Sequence, residues 1–494
     1  MNEKRSIKNV GWSILAQLVS IVTGLVLTRL FMVGYGSAVN GLINSVTQIF
    51  AYFVLLEGGI GAASLQALYH PVAEEDAEDI SAIMTVTKHF YNRTSFLYLG
   101  AILLFAAVYP LLLGGEDQIS GWTMAGVILF TGLGNVVNFR YQGTYKILMQ
   151  AEGKNYVITS IQTIITIIMS LVKAAAIWMG ASIVLVIAAG FVVNMLQCLF
   201  YYFYIQKYYR WLDFSGPPAH IGQKRFVMVH QVAQLVFQNT DTLILTMFCG
   251  LKVVSVYAAY KVVVAALGTL TYSISESFLF ILGQEFATDR EKYIRHIDLF
   301  DALYTMLSFI LFATAYVLYL PFIELYTRGV TDVVYVDPWL PLLFVGIEIL
   351  SGCRRAMQNT ISVAGHFRGT ARQTVIETIL NLTVSLVLVN FWGIYGALLG
   401  TIVALLYRSN EIIWYGNRKI LGRGPWKSYR HYGVNLLGMM AVGLVRSQLS
   451  LHADGYGEFL VMGAVTVVAV GLAFLLLNAV CFPWVLRQVR RMVR

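Results

Sequence analysis

Apolar runs, each roughly the length needed to cross a ~30 Å hydrocarbon core as a helix, follow one another from one end of the chain to the other. Sliding windows of about 19 residues separate about fourteen of them. They lie at 9–33, 41–68, 91–113, 121–139, 156–179, 181–203, 226–248, 253–282, 297–320, 339–363, 374–391, 394–414, 433–449 and 459–482. This pattern predicts an all-α polytopic membrane protein, because every backbone polar group of a lipid-exposed helix is satisfied within the helix. Two runs depart from uniform greasiness. At ~100° per residue, His230, Gln234, Gln238 and Asp241 share an arc of roughly 80°, and Asn9, Ser13, Gln17, Ser20 and Gly24 form a similar row in the first run. A continuous polar row exceeds what helix-to-helix contact needs, since each buried amide contact gains only ~0.6 to 2 kcal/mol. Both rows are therefore expected to face a water-filled cleft, walled by the first helix of each half.

The longest polar link contains FSGPPAH, a Pro/Gly break that no helix would cross. It divides the chain into a six-helix bundle at 1–210, a linker at 211–224, a second six-helix bundle at 225–420, and two extra helices with a basic tail at 421–494. Short matches relate the halves. AQLV occurs at Ala16 and Ala233, and Thr163-Ile164 with Ser170-Leu171-Val172 matches Thr378-Ile379 with Ser385-Leu386-Val387. Duplicated bundles of this kind commonly place a substrate site between repeats. The acidic, amphipathic stretch His70 to Lys88 reads as a solvated connector helix, the alternatives being one that lies at the membrane surface or packs under the bundle.

Composition agrees with lipid as the solvent: 58% of residues are hydrophobic and 12% charged, against about 25% charged in soluble domains. The net charge of +9 is explained by its distribution rather than by nucleic acid. When successive loops alternate sides, most of the 35 Lys and Arg residues fall on one side. That asymmetry predicts an even number of spans with both termini cytoplasmic. The first run is too long for a signal-peptide core and reads as a retained span. Cys198, Cys249, Cys353 and Cys481 stand singly, as packing residues do.

Ionisable side chains within lipid are expensive and default to functional candidates. Arg29, Lys173 and Lys261 stand inside the first, fifth and eighth runs at similar predicted depth, which suggests an anion site; the alternative is snorkelling to head groups. Glu57, Asp241, Glu276, Glu348, Glu377 and Glu411 are the intramembrane acids, for most of which a structural ion pair or hydrogen bond is the simpler role. No HExxH, no other metal-ligand spacing and no phosphate-cradling Gly-rich loop occurs. The pattern thus points to no enzyme, metal or cofactor, and to transport driven by an ion gradient, the membrane potential or the substrate's own gradient.

LLEGGIGAASLQALYHPVA, YKILMQAEGKNYVITSIQ, QNTDTLILTMFCGLKVVSVYAAY and QNTISVAGHFRGTARQTVIETILNLTVSLVLV resemble the bacterial Wzx-type polysaccharide flippases, in the superfamily that includes multidrug extruders and lipid II flippases. The resemblance implies two six-helix bundles around an alternately opened cleft, plus two C-terminal helices, in the bacterial inner membrane. It implies a polyprenyl-pyrophosphate-linked oligosaccharide as cargo, and polysaccharide polymerases and glycosyltransferases as partners. Carried onto this chain, Arg29, Lys173 and Lys261 would hold the pyrophosphate, with Gln17, His230, Gln234 and Gln238 lining the path. Asp241 and Glu57 would couple to the ion gradient. A lipid II flippase shares every one of these features, whereas a cation-exporting multidrug antiporter would want an acid-dominated pocket. A polymerase would want a large external loop, which this chain lacks.

Overall fold

A computed structural model describes residues 3–53, 60–113, 119–214 and 224–493, and every regular element among them is helical. The helices are α1 (Glu3–Phe53), α2 (Ile60–Glu74), α3 (Ala77–Leu113), α4 (Gly121–Val137), α5 (Gly143–Ala151), α6 (Asn155–Trp178), α7 (Ile183–Tyr208) and α8 (Lys224–Thr288). They continue with α9 (Arg290–Tyr326), α10 (Leu340–Cys353), α11 (Arg355–Val363), α12 (Phe367–Trp392), α13 (Ile394–Tyr415), α14 (Trp426–Ser447), α15 (Tyr456–Cys481) and α16 (Pro483–Val493). A π-helical turn, Asn138–Gln142, joins α4 to α5, and another, Gly416–Ile420, follows α13.

Nine helices among the described residues are long and apolar enough to cross a membrane. Two of these apolar segments, Gly11–Phe53 and Asn239–Phe286, run to 43 and 48 residues, enough for two crossings each at ~1.5 Å per residue. The sequence predicts separate spans there, divided by a loop. Instead the helices run together through Gly36 (φ 84°, ψ 171°) and Gly250 (φ 81°, ψ 170°), backbone conformations essentially closed to residues with a Cβ. Lys252, between the predicted runs 226–248 and 253–282, consequently lies within α8. The connector at 70–88 is helical on both sides of a break at Glu75 and Asp76. Asp76 caps α3 through the amides of Glu78 and Asp79, and the helix then runs unbroken into the third span.

The duplication has a backbone signature. Left-handed glycines recur as pairs at nearly constant separation: Gly36 with Gly250, Gly153 with Gly365, and Gly180 with Gly393. Each pair sits at the corresponding junction of its half.

Two compact units are formed, Met1–Ser255 and Val256–Arg494. In the first, the beginning of α8 pairs with the second part of α1 through hydroxyls and amides. Tyr52 meets Thr240 at 3.1 Å, Ser45 meets Thr246 at 2.5 Å, and Asn40 donates to Ser255 at 2.7 Å. Its core gathers Phe50, Tyr98, Val127 and Ile187 from α1, α3, α4 and α7. In the second unit α9 is the hub. Tyr319 donates to the Tyr260 carbonyl at 2.7 Å, and α14 and α15 dock on α9 while exchanging amide hydrogen bonds between Asn435 and Asn478. Apart from Val470, Phe474 and Asn478, the side chains of α15 are not buried, and Leu460, Val461, Leu476 and Val480 are largely exposed. An apolar surface of this kind belongs in lipid, and the chain is a multi-pass membrane protein.

Candidate functional site: a lysine-lined pocket in the first unit

Between α4, α5, α6 and α7 lies a cavity of ≈ 440 Å³. Small residues open it. Asn194 of α7 donates to the Gly134 carbonyl of α4 at 3.1 Å, and a Cβ on Gly134 would stand 3.2 Å from the same amide nitrogen. Gly190, one turn earlier on α7, makes room for Lys173 of α6. A Cβ there would fall 2.4 Å from Lys173 Cε.

The polar lining comes from Asn135 and Asn138 on one side and Asn194 and Gln197 on the other, with Gln162 at an exposed position on α6. Two cations complete it, Lys173 and Lys146. The π turn explains how Lys146 arrives. In an unbroken α-helix it would sit about 80° around from Asn138. A π turn takes up one extra residue, which leaves it only roughly 20° away. Lys146 Nζ lies 5.9 Å from the Tyr201 ring centroid. No acid lines the cavity, and neither lysine has a carboxylate partner among the described residues.

At the end nearest Asn155, the bundle is fastened by polar clips. The Asn9 side chain accepts from the Tyr156 amide at 2.6 Å and donates to the Gly153 carbonyl at 3.2 Å, fixing α1 to the start of α6. Glu152 pairs with Lys154 at 2.8 Å and accepts from the Tyr209 hydroxyl. Burial and the neighbouring Glu152 push the Tyr209 phenol well above its ordinary value, so it remains a donor. These contacts hold α1, α5, α6 and α7 in register beneath the pocket.

The sequence-predicted residues distribute as follows. Lys173 lines the pocket. Arg29 sits on the neighbouring, parallel α1. The register set by Asn9 with Tyr156, and by Gly34 with Ile177, puts it level with Lys173, half-buried but outside the pocket lining. Gln17 is half-buried on α1. Asp241 is buried on α8 beside Thr240, the partner of Tyr52. Lys261 belongs to the second unit, 5.3 Å from the Tyr257 ring centroid. Glu57 and the side chains of His230, Gln234 and Gln238 lie outside the described residues. The four cysteines are free and half-buried.

Two of the remaining intramembrane acids are structural. Glu377 pairs with Arg354 at 2.7 Å and with Arg408 at 3.3 Å, and Arg408 also reaches Glu411. The sequence counts Lys146 among the cytoplasmic-side charges, on a fourth helix expected to run on past Arg140 towards Gln150, and does not single out either it or the facing amides as site residues. The available signal was Asn135 with Asn138 and Asn194 with Gln197, pairs three residues apart on one helix face within apolar spans.

Lys173 is not repeated at the matching position of the second half. Lys173 follows Ser170-Leu171-Val172, and the residue following Ser385-Leu386-Val387 is Leu388. There α12 and α13 close on each other: a Cβ on Gly396 would lie 2.3 Å from the Leu388 carbonyl, and Asn381 bonds across to Thr401 at 2.9 Å.

No protein-family model matches the sequence, and no curated protein does. Solved structures are similar in fold. A lipid II flippase MurJ in an inward closed conformation superposes with a TM-score of 0.68 at 13% identity, covering 98% of this chain and 100% of its own. An inward-facing multidrug resistance MATE family transporter of the MOP superfamily gives 0.65 at 11% identity, covering 84% of this chain and 98% of its own. An outward-facing MATE family transporter gives 0.54 at 11% identity over 84% of this chain and 96% of its own. The chain shares its fold with these flippase and transporter structures.

Proposed function

We propose that the protein is a flippase that turns a polyprenyl-pyrophosphate-linked oligosaccharide from the cytoplasmic to the outer leaflet for surface-polysaccharide assembly, by alternating access driven by an ion gradient. The observation that carries this reading is the pocket in the first unit: two lysines and several amides with no acid among its lining residues. An intramembrane cavity so charged attracts an anion and repels an organic cation, which argues against export of cationic drugs. The amides suit sugar hydroxyls, whose transfer into hydrocarbon without partners costs several kcal/mol each. The lipid tail can stay in the bilayer throughout.

A second reading, lipid II transport, is favoured by one observation. The MurJ structure aligns with 98% of this chain, the C-terminal helices included, while the MATE structures align with 84%. Lipid II also joins a polyprenyl tail to a sugar through a diphosphate, so the pocket serves either cargo.

The test is leaflet accessibility in proteoliposomes holding a fluorescent polyprenyl-diphosphate oligosaccharide. Active protein should make nearly all the probe quenchable from outside, against about half in empty vesicles, and Lys173→Glu should return it to the empty-vesicle value. Equal accessibility with and without protein, under an imposed proton or sodium gradient, would overturn the reading. Faster movement of the corresponding lipid II analogue would decide for the second one.

A further inference from the structure

We infer that α16, the basic helix that follows the last span, binds the anionic phospholipid head groups of the membrane face at which α15 ends. Its sequence, PWVLRQVRRMV, has two unlike faces. Val485 is buried with Phe482 in one cluster with Leu299 and Ala302 of α9, and Trp484 and Val489 pack against that cluster. At ~100° per residue, Arg487 and Arg490 stand within about 60° of each other on the opposite, exposed face, with the exposed Leu486 on its flank.

The register of α16 on α9 sets the depth of this face. Gln488 donates to the Arg295 carbonyl at 3.3 Å, two residues before the apolar run at 297–320 begins. Val480, largely exposed, belongs to the last lipid-facing turn of α15. Between them the chain passes from hydrocarbon to head groups, and α16 carries its arginines at that level. An exposed leucine beside two guanidinium groups suits this boundary, since the leucine can enter the acyl region while the charges reach phosphate. A soluble acidic partner would meet only the arginines.

Charge matching separates this face from the bases beside it that point into the protein. Arg423 and Lys427 both pair with Asp298 at 2.5 Å, and His431 meets Asp301 at 3.2 Å. Arg487 and Arg490 have no carboxylate partner among the described residues. Arg430, exposed on α14, adds a third positive charge at the corner where α15 becomes α16. It donates to the Cys481 carbonyl at 2.9 Å and lies 5.0 Å from the Phe482 ring centroid. Each basic side chain near an anionic surface strengthens binding roughly fivefold, so two arginines supply on the order of 30-fold, which a zwitterionic surface does not.

The test is photolabelling of the full-length protein in vesicles of phosphatidylcholine with a minority of phosphatidylglycerol. The photoreactive group is placed near the glycerol of one lipid or the other, and adducts are mapped by peptide mass spectrometry. Labelling of α16 should favour phosphatidylglycerol roughly tenfold or more. Arg487→Gln with Arg490→Gln should abolish most of that preference, and Arg487→Lys with Arg490→Lys should retain most of it. Lys207→Gln with Arg210→Gln removes two exposed charges from the first unit and should leave the labelling of α16 unchanged. Thermal melting should confirm that all variants are folded.

Equal labelling of α16 by the two lipids would overturn the assignment. So would a preference that survives the Gln pair in folded protein, or one that the first-unit pair lowers as much. Labelling of α15 with none on α16, from either lipid, would place the helix away from the membrane, overturn the assignment and leave its arginines to an acidic soluble partner.

Discussion

Gly190→Ala should disable the pocket while leaving the protein folded. The added Cβ would stand 2.4 Å from Lys173 Cε and 3.3 Å from its Nζ, whereas comfortable carbon contacts begin near ~3.5 Å. The lysine end must therefore move by about 1 Å or more. Because the obstacle is the flexible end of a side chain, the cost is that of an altered rotamer, about 0.5–1.5 kcal/mol, not the ~1–3 kcal/mol of a rigidly overpacked core. Replacing Gly by Ala within a helix returns roughly 0.8–1 kcal/mol. The two nearly cancel, so the melting temperature should shift by no more than a few degrees.

Binding has no such compensation. Losing one hydrogen bond from a charged donor removes about 1.5–3 kcal/mol, or roughly ten- to 150-fold in affinity. Pyrophosphate titration and thermal melting on the same preparation separate the two effects. Gly190→Ala combined with Lys173→Gln should bind no worse than Lys173→Gln alone, since both act on one ammonium group. Unchanged affinity in Gly190→Ala would refute the placement of Lys173, and a collapse of the melt would refute the claim that only a side-chain end is displaced.

Gly36→Ala and Gly250→Ala should each destabilise by about 1–3 kcal/mol, because φ near +80° with ψ near 170° is a glycine conformation; melting temperatures equal to the parent's would contradict the kinks. Arg408 is 7% exposed and lies between Glu377 and Glu411, so Arg408→Met should cost about 3–5 kcal/mol by leaving the half-buried Glu411 unpaired and Glu377 with Arg354 alone. Adding Glu411→Gln should recover part of that loss in thermal unfolding; no recovery would show that the pair is not coupled. Asp241→Asn should weaken the dependence of flipping on the proton or sodium gradient, measured with ionophores, and an unaltered dependence would exclude Asp241 as the coupling acid.

Much of the architecture was legible because lipid imposes a simple rule on sequence. Helical spans must be apolar and about twenty residues long, and this gave the all-α architecture and the spans that appear as α4, α6, α7, α12 and α15. The Pro/Gly break and the AQLV and Ser-Leu-Val matches pointed to duplication, which the left-handed glycine pairs now support in the backbone. Hydropathy misread the junctions at Gly36 and Gly250, where one residue turns the chain without any polar loop. The runs at 339–363, 394–414 and 433–449 correspond to α10 with α11, α13 and α14, helices whose breaks and polar residues keep them off a criterion of length and apolarity alone.

The candidate site was half legible. Lys173 is conspicuous as a cation deep in an apolar run. Lys146 is not, because its place in the cavity depends on a π turn that no periodicity of 3.6 reveals. Gly190 carries no signal of its own in the sequence, and its role emerges only when the Lys173 side chain is seen lying across it.

The most direct measurement is the identity of the ion that the pocket between Lys146 and Lys173 selects. Crystals of the full chain soaked in tungstate, and separately in rubidium, can be compared by anomalous scattering. The account predicts a tungstate peak among Lys146, Lys173 and Asn194 and no rubidium there; rubidium in that cavity, or tungstate bound only elsewhere, would contradict it.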